Sequence, residues 1–130
     1  MITYRNVISH RWARAMTLRQ LEAGHVTAEG LCDADFLLVT AATYHGQEVE
    51  RSCPVCGSEN LREVRWIYGD TLGPRSGTAR GEDEIAAIVE ELAGQRVPRG
   101  KDGEVAVHLV EVCPACRWNH LLTTAVAELA

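Results

Sequence analysis

The chain is poor in aromatic residues, with one Phe, three Trp and three Tyr among 130 positions. Its core must therefore rest on Leu, Val, Ile and Ala. Long apolar runs are also missing. Residues 1–16 are broken by Arg5, Asn6, His10, Arg11 and Arg14. They offer no secretory h-region, and no other stretch reaches the roughly 20 apolar residues of a membrane helix. These absences predict a cytoplasmic protein with no membrane partner. The five histidines (His10, His25, His45, His108 and His120) show neither His-x-x-x-His nor His-Glu-x-x-His spacing. That excludes the helical metalloprotease motifs. No nucleophile and base can be paired, so no catalytic residue is expected.

Positive charge is short as well. The net charge is −5, which argues against a general nucleic-acid coat. The charge is uneven, however. Arg5, Arg11, Arg14 and Arg19 face Glu22 alone within residues 1–24, whereas residues 25–60 carry six acidic groups against Arg51. A local basic face on the first helix therefore stays open as an expectation.

What the chain does have is two matched cysteine steps, Cys53-Pro54-Val55-Cys56 and Cys113-Pro114-Ala115-Cys116. Two thiols from one tight turn and two from a distant turn make the set a tetrahedral zinc ion needs. In a reducing cytoplasm such pairs are metal ligands more often than disulfides. Proline fixes φ after each first cysteine. Gly57 supplies the left-handed residue after the second knuckle cysteine without strain, and Arg117 holds the equivalent place less comfortably. A thioredoxin-like dithiol would open a helix, and neither pair does. Iron bound by four cysteines uses the same geometry; ligand type and spacing favour Zn2+. Four thiolates leave no open position for substrate or water, so the zinc is expected to be structural.

The remaining pattern predicts an α+β fold. An N-terminal helical segment, residues 1–46, packs on a small antiparallel zinc-ribbon sheet, residues 47–130, with one inserted helix. The spacing of Val7, Ile8, Trp12, Ala15, Leu18 and Leu21 predicts a helix over residues 4–23. Thr27 caps a short turn, and Asp33 caps a second helix over residues 34–44. That helix is apolar nearly all round, which predicts burial. Strands are expected over 61–68, 104–112 and 118–126, a helix over 82–93, and turns over 97–103. The 56 residues between Cys56 and Cys113 exceed what a compact ribbon needs, so the helix over 82–93 is read as an insertion.

Smaller features carry weaker readings. Cys32 is expected to be a buried small apolar residue, with a reactive thiol as the second reading, since no neighbouring base in the sequence supports it. His120 is read either as an ordinary strand histidine or as a hydrogen-bond partner of a thiolate. Trp66, Tyr68 and Trp118 are expected to pack over the sheet rather than stack nucleobases. The glycine-rich loop over residues 69–81 offers Arg75, Ser76 and Arg80 as contacts for an anion or acidic partner group. It lacks the lysine and spacing of a P-loop.

The stretches Leu31-Cys32-Asp33-Ala34, Tyr44-His45-Gly46, Trp66-Ile67-Tyr68-Gly69-Asp70, Ser76-Gly77-Thr78-Ala79-Arg80 and Cys113-Pro114-Ala115-Cys116-Arg117-Trp118-Asn119-His120-Leu121 resemble a family of small uncharacterised actinobacterial proteins, classed as a domain of unknown function. The resemblance implies a cytoplasmic protein with a paired-cysteine metal site. It implies no catalytic residue. The expected role is a non-catalytic adaptor that binds another protein. The alternative is a zinc-ribbon regulator that binds nucleic acid through Arg5, Arg11, Arg14 and Arg19 with Arg75 and Arg80.

Overall fold

The computed structural model describes residues 2–94 and 104–130; the turns expected over 97–103 lie outside them. β-Branched residues decide the first element. Ile2, Thr3, Val7 and Ile8 favour extended backbone, and Ile2–Ser9 forms strand β1. This corrects the expected helix over 4–23. The apparent apolar stripe crosses a strand–helix junction at His10, and only Arg11–Glu22 is helical (α1). Asn6 takes a left-handed φ of 54° where the pairing of β1 shifts register between Arg5 and Ile8. Asn tolerates that conformation better than its β-branched neighbours would.

Thr27 caps the one-turn helix α2 (Ala28–Leu31), its hydroxyl accepting from the Gly30 N–H as the sequence suggests. The next helix, α3 (Phe36–His45), starts later than expected. Asp35 caps it by accepting from the Leu38 N–H at 2.8 Å. Asp33 is instead committed to the Asn119 side-chain amide, also at 2.8 Å. α3 is not buried: only Ala42 is fully enclosed, while Phe36, Leu37 and Tyr44 face outward. A helix that touches a sheet on one side needs one apolar stripe, and this one carries a surplus.

Two short strands, β2 (Gln47–Glu48) and β4 (Thr78–Ala79), pair with opposite ends of β3 (Arg62–Tyr68). A 3-10 segment, Asp70–Arg75, links β3 to β4, so part of the loop over 69–81 is regular structure. Helix α4 (Glu82–Ala93) follows, with Glu84 reaching back to the Gly81 N–H and three acidic residues in its first turn. These favour the positive end of the helix dipole. β5 (Val105–Val112) and β6 (Asn119–Leu129) complete the sheet.

The strand order is β1-β6-β5-β3-β2, with β4 also on β3, and every pairing is antiparallel. The N-terminal strand thus closes the sheet of the C-terminal half instead of belonging to a helical segment. α4 covers one face, burying Ile85, Ile88, Val89 and Leu92 against Ile67, Val105, Val107 and Ala127. α3 covers part of the other through Leu38, Val39 and Ala41 against Val64, Trp66 and Val110. Because β3 and β5 are neighbours, the turn entering β3 and the turn leaving β5 meet at the same end of the sheet. Both are cysteine turns.

Candidate metal centre

The two turns have the same hydrogen-bond plan. In the first, the Cys53 N–H donates to Ser58 O at 2.8 Å and the Gly57 N–H to Cys53 O at 3.0 Å. In the second, the Cys113 N–H donates to Trp118 O and the Arg117 N–H to Cys113 O, both at 2.8 Å. Backbone N–H groups also point at sulfur, from Val55 to Cys53 Sγ and from Trp118 to Cys116 Sγ, each at 3.4 Å. Gly57 and Arg117 occupy matching left-handed positions, with φ of 78° and 72°. The Arg117 conformation is held from outside. Its Nε donates to Ala34 O at 2.8 Å, and the Ala34 N–H donates back to Arg117 O at 3.0 Å. The second turn is thereby pinned to the segment before α3.

The four sulfurs of Cys53, Cys56, Cys113 and Cys116 all lie within 4.8 Å of one another. Cys53 Sγ is 3.7 Å from Cys116 Sγ, and Cys56 Sγ is 3.6 Å from Cys113 Sγ. A tetrahedral ion with metal–sulfur bonds of about 2.3 Å would place its sulfurs about 3.8 Å apart. The spacing fits. It also excludes disulfides, whose sulfurs sit at about 2.05 Å, and all five cysteines are free thiols.

Electrostatics point the same way. Burial pushes the thiols of Cys53 and Cys116 up. Cys56, at the exposed corner, is drawn below its ordinary value, chiefly by the backbone N–H of Ser58. Four thiols this crowded, two of them buried, cannot all ionise together without a cation between them. Leu61 and Trp118 are buried against Cys53 and Cys113, while Leu18, Leu31 and Val49 close the sides. The donor set therefore suits a thiophilic metal ion, with Cys53 and Cys113 buried and Cys56 and Cys116 toward the surface.

Two residues before Cys113 lies a group the sequence reading missed. Glu111 is completely buried. Five N–H donors converge on its carboxylate. Arg14 supplies Nε at 2.7 Å and Nη2 at 3.1 Å; Arg51 supplies Nε at 3.0 Å and Nη2 at 2.8 Å; Trp118 supplies its indole N–H at 2.8 Å. Burial would raise its pKa, but the hydrogen bonds from Arg14, Trp118 and Arg51 overcome that and hold it below the usual carboxylate range. Arg51 continues to Glu63 at 2.7 Å. One carboxylate thus ties α1 and the approach to the first cysteine turn to the second turn.

A family model described as "Family of unknown function (DUF5318)" matches residues 1–129. The chain belongs to this family. Among similar proteins are uncharacterized protein Rv0049 of Mycobacterium tuberculosis (strain H37Rv) and uncharacterized protein Mb0050 of Mycobacterium bovis. Each is 35% identical over 117 residues, covering 90% of this chain and 78% of the relative. No solved structure matches the chain.

The other expected residues of this DUF5318 chain fall as follows. His120 has its ring stacked on Trp118 at 5.8 Å, with Nδ1 at 2.7 Å from Leu121 O, so it reaches the centre only through the tryptophan. Cys32 is not a buried apolar residue, as expected, but a half-buried thiol donating to Cys116 Sγ at 3.6 Å. Trp118 packs among the thiols, and Trp66 packs under α3. Arg75 pairs with Glu91 at 2.7 Å, Ser76 Oγ accepts from the Gly69 N–H, and Arg80 bonds Thr78 Oγ1 at 3.0 Å and Glu84 at 3.4 Å. An acidic partner reaching this loop would have to displace Glu91 and Glu84. No helix among the described residues is long and apolar enough to cross a membrane.

Proposed function

We propose that the chain is a zinc-ribbon module in which Cys53, Cys56, Cys113 and Cys116 hold one structural Zn2+, and that it serves as a non-catalytic adaptor for another protein. Zinc prefers tetrahedral thiolate shells without redox chemistry, and a four-thiolate shell leaves no position for a reacting ligand. The observation that carries the adaptor reading is the outer side of α3. Phe36 and Leu37 on its first turn and Tyr44 on its last are 81%, 72% and 79% exposed. A groove of about 600 Å³ runs beside them over Trp66, bounded by Thr78, Arg80 and Glu84. It continues through Leu37, Trp66 and Gly77 into a second hollow of about 470 Å³ reaching Tyr68 and His108. Aromatic anchors beside an aromatic-floored groove are the usual centre of a protein interface.

Phe36→Ser combined with Tyr44→Ser is expected to leave zinc at one equivalent and the melting temperature within about two degrees of the parent, since these side chains bury little surface. Co-purification from the native host, compared by mass spectrometry, should lose the partner. Undiminished recovery of the same partner would overturn the adaptor reading. Two of the four N-terminal arginines, which carry the nucleic-acid alternative, are spent within the fold: Arg5 on Glu104 and Glu128, Arg14 on Glu111. Micromolar binding to oligonucleotides with a steep salt dependence would reverse this ranking.

The loop arginines give a finer test. Arg75→Ala with Arg80→Ala removes two partly exposed ion pairs, each worth about 0.2–1 kcal/mol. The expected result is a small loss of stability with zinc retained and partner capture weakened. Unchanged capture would mean that the pairs serve the loop alone.

A further inference from the structure

Five thiols, not four, meet at the centre, and the fifth differs from the others. Cys32 stands at the end of α2, far from either cysteine turn in sequence, with its Sγ 3.6 Å from Cys116 Sγ. It lies outside the group of four sulfurs that are all mutually close. Both Cys32 and Cys116 are partly exposed, whereas Cys53 and Cys113 are buried. The pair therefore joins a ligand thiolate and a non-ligand thiol on the accessible side of the site.

We propose that Cys32 and Cys116 form an oxidisable pair, a modification site for peroxides that opens the metal centre reversibly. The Cys116 thiolate attacks one oxygen of a hydroperoxide such as hydrogen peroxide. The O–O bond breaks, sulfur gains the hydroxyl as a sulfenic acid, and hydroxide leaves. The Cys32 thiol sulfur then attacks that sulfenic sulfur, forming the S–S bond and releasing water. Two thiol sulfurs have given up two electrons, and the peroxide oxygens have taken them. The sulfurs must close from 3.6 Å to about 2.05 Å. The movement needed is small, and α2 is a single helical turn with no buried residue.

The choice of partner has a consequence. A bond between any two of the four ligand cysteines removes two ligands at once. A Cys32–Cys116 bond removes one and leaves Cys53, Cys56 and Cys113 in place. Reduction by a dithiol then restores the full set without the turns having to refold. Cys32 also traps the sulfenic acid before it can reach the irreversible sulfinic state.

This inference rests on the zinc reading, and the test separates the two. Metal content of wild type and Cys32→Ala is first measured by elemental analysis; absence of metal in both overturns the zinc reading, not the pairing. Both proteins are then treated with hydrogen peroxide while released zinc is followed with a colorimetric chelator, and disulfides are mapped by mass spectrometry. Wild type is expected to yield a Cys32–Cys116 disulfide and to regain its full zinc content with dithiothreitol plus zinc, whereas Cys32→Ala, whose first oxidation step is the same, should lose zinc and fail to regain it. The variant should instead accumulate sulfinic acid at Cys116. Equal recovery of zinc by the two proteins after reduction, or disulfides confined to Cys53–Cys56 and Cys113–Cys116, would overturn the proposal. If no metal is present, the mapped disulfide alone decides the pairing.

Discussion

Cys113→Ser is expected to lose the metal and about 3 kcal/mol or more of stability, which for a domain of this size lowers the melting temperature by roughly 10 °C. The sulfur is fully buried at the meeting of the two cysteine turns. Metal-binding free energy in small sites is folding free energy, and it reaches about 10–16 kcal/mol in peptides that are unfolded without zinc. Here the loss should be smaller and local. Ile67, Ile85, Val105 and Ala127 form a core under α4 that contains no thiol. Elemental analysis should find the metal gone, and hydrogen exchange should show early opening around Cys53–Cys56 and α2 while α4 stays protected. Retention of a full equivalent of metal with a melting temperature within two degrees of the parent would mean that Cys113 is a core thiol and not a ligand.

The cysteine turns were legible because their chemistry is local. Ligand spacing, a following proline and a left-handed residue are all written within a few positions, and the structure places Gly57 and Arg117 at φ of 78° and 72° as that pattern requires. The helix over 82–93 was legible for a similar reason: its apolar spacing, acidic first turn and Gly94 agree with one another. β1 was not, because Val7 and Ile8 fit a helical stripe only when joined to Trp12 across the junction at His10. The β-branched content of residues 2–8 was the signal that should have outweighed the spacing. The exposure of α3 could not be read either, since an apolar circumference says nothing about how much surface is available to cover it. For Glu111 a hint existed: it interrupts the run Val105–Val112 directly before a cysteine turn. Its partners could not be named, because Arg14 and Arg51 are 97 and 60 residues away.

Glu111→Ala is expected to destabilise the protein by about 3–5 kcal/mol, the usual cost of stripping one partner from a buried ion pair. The change orphans five donors together. The Trp118 indole N–H would be left buried without an acceptor, Arg14 would keep its charge in a site only 21% exposed, and Arg51 would retain Glu63. The damage should reach the metal as well. Trp118 donates its backbone N–H to Cys116 Sγ, so a shifted indole would move a sulfur of the proposed centre, and partners of that kind are worth about 10–100-fold in metal affinity. Glu111→Gln keeps the shape and one acceptor oxygen, and should cost less than Glu111→Ala. Thermal melts and chelator competition on both variants measure the two effects separately. Joining Arg14→Met to Glu111→Leu should recover much of the stability, because removing both charges also removes the cost of burying them. A double variant no better than Glu111→Ala would show that the carboxylate acts by packing Trp118 and not by balancing the arginines. Metal affinity then decides its role, since it should return with the indole and not with the charge.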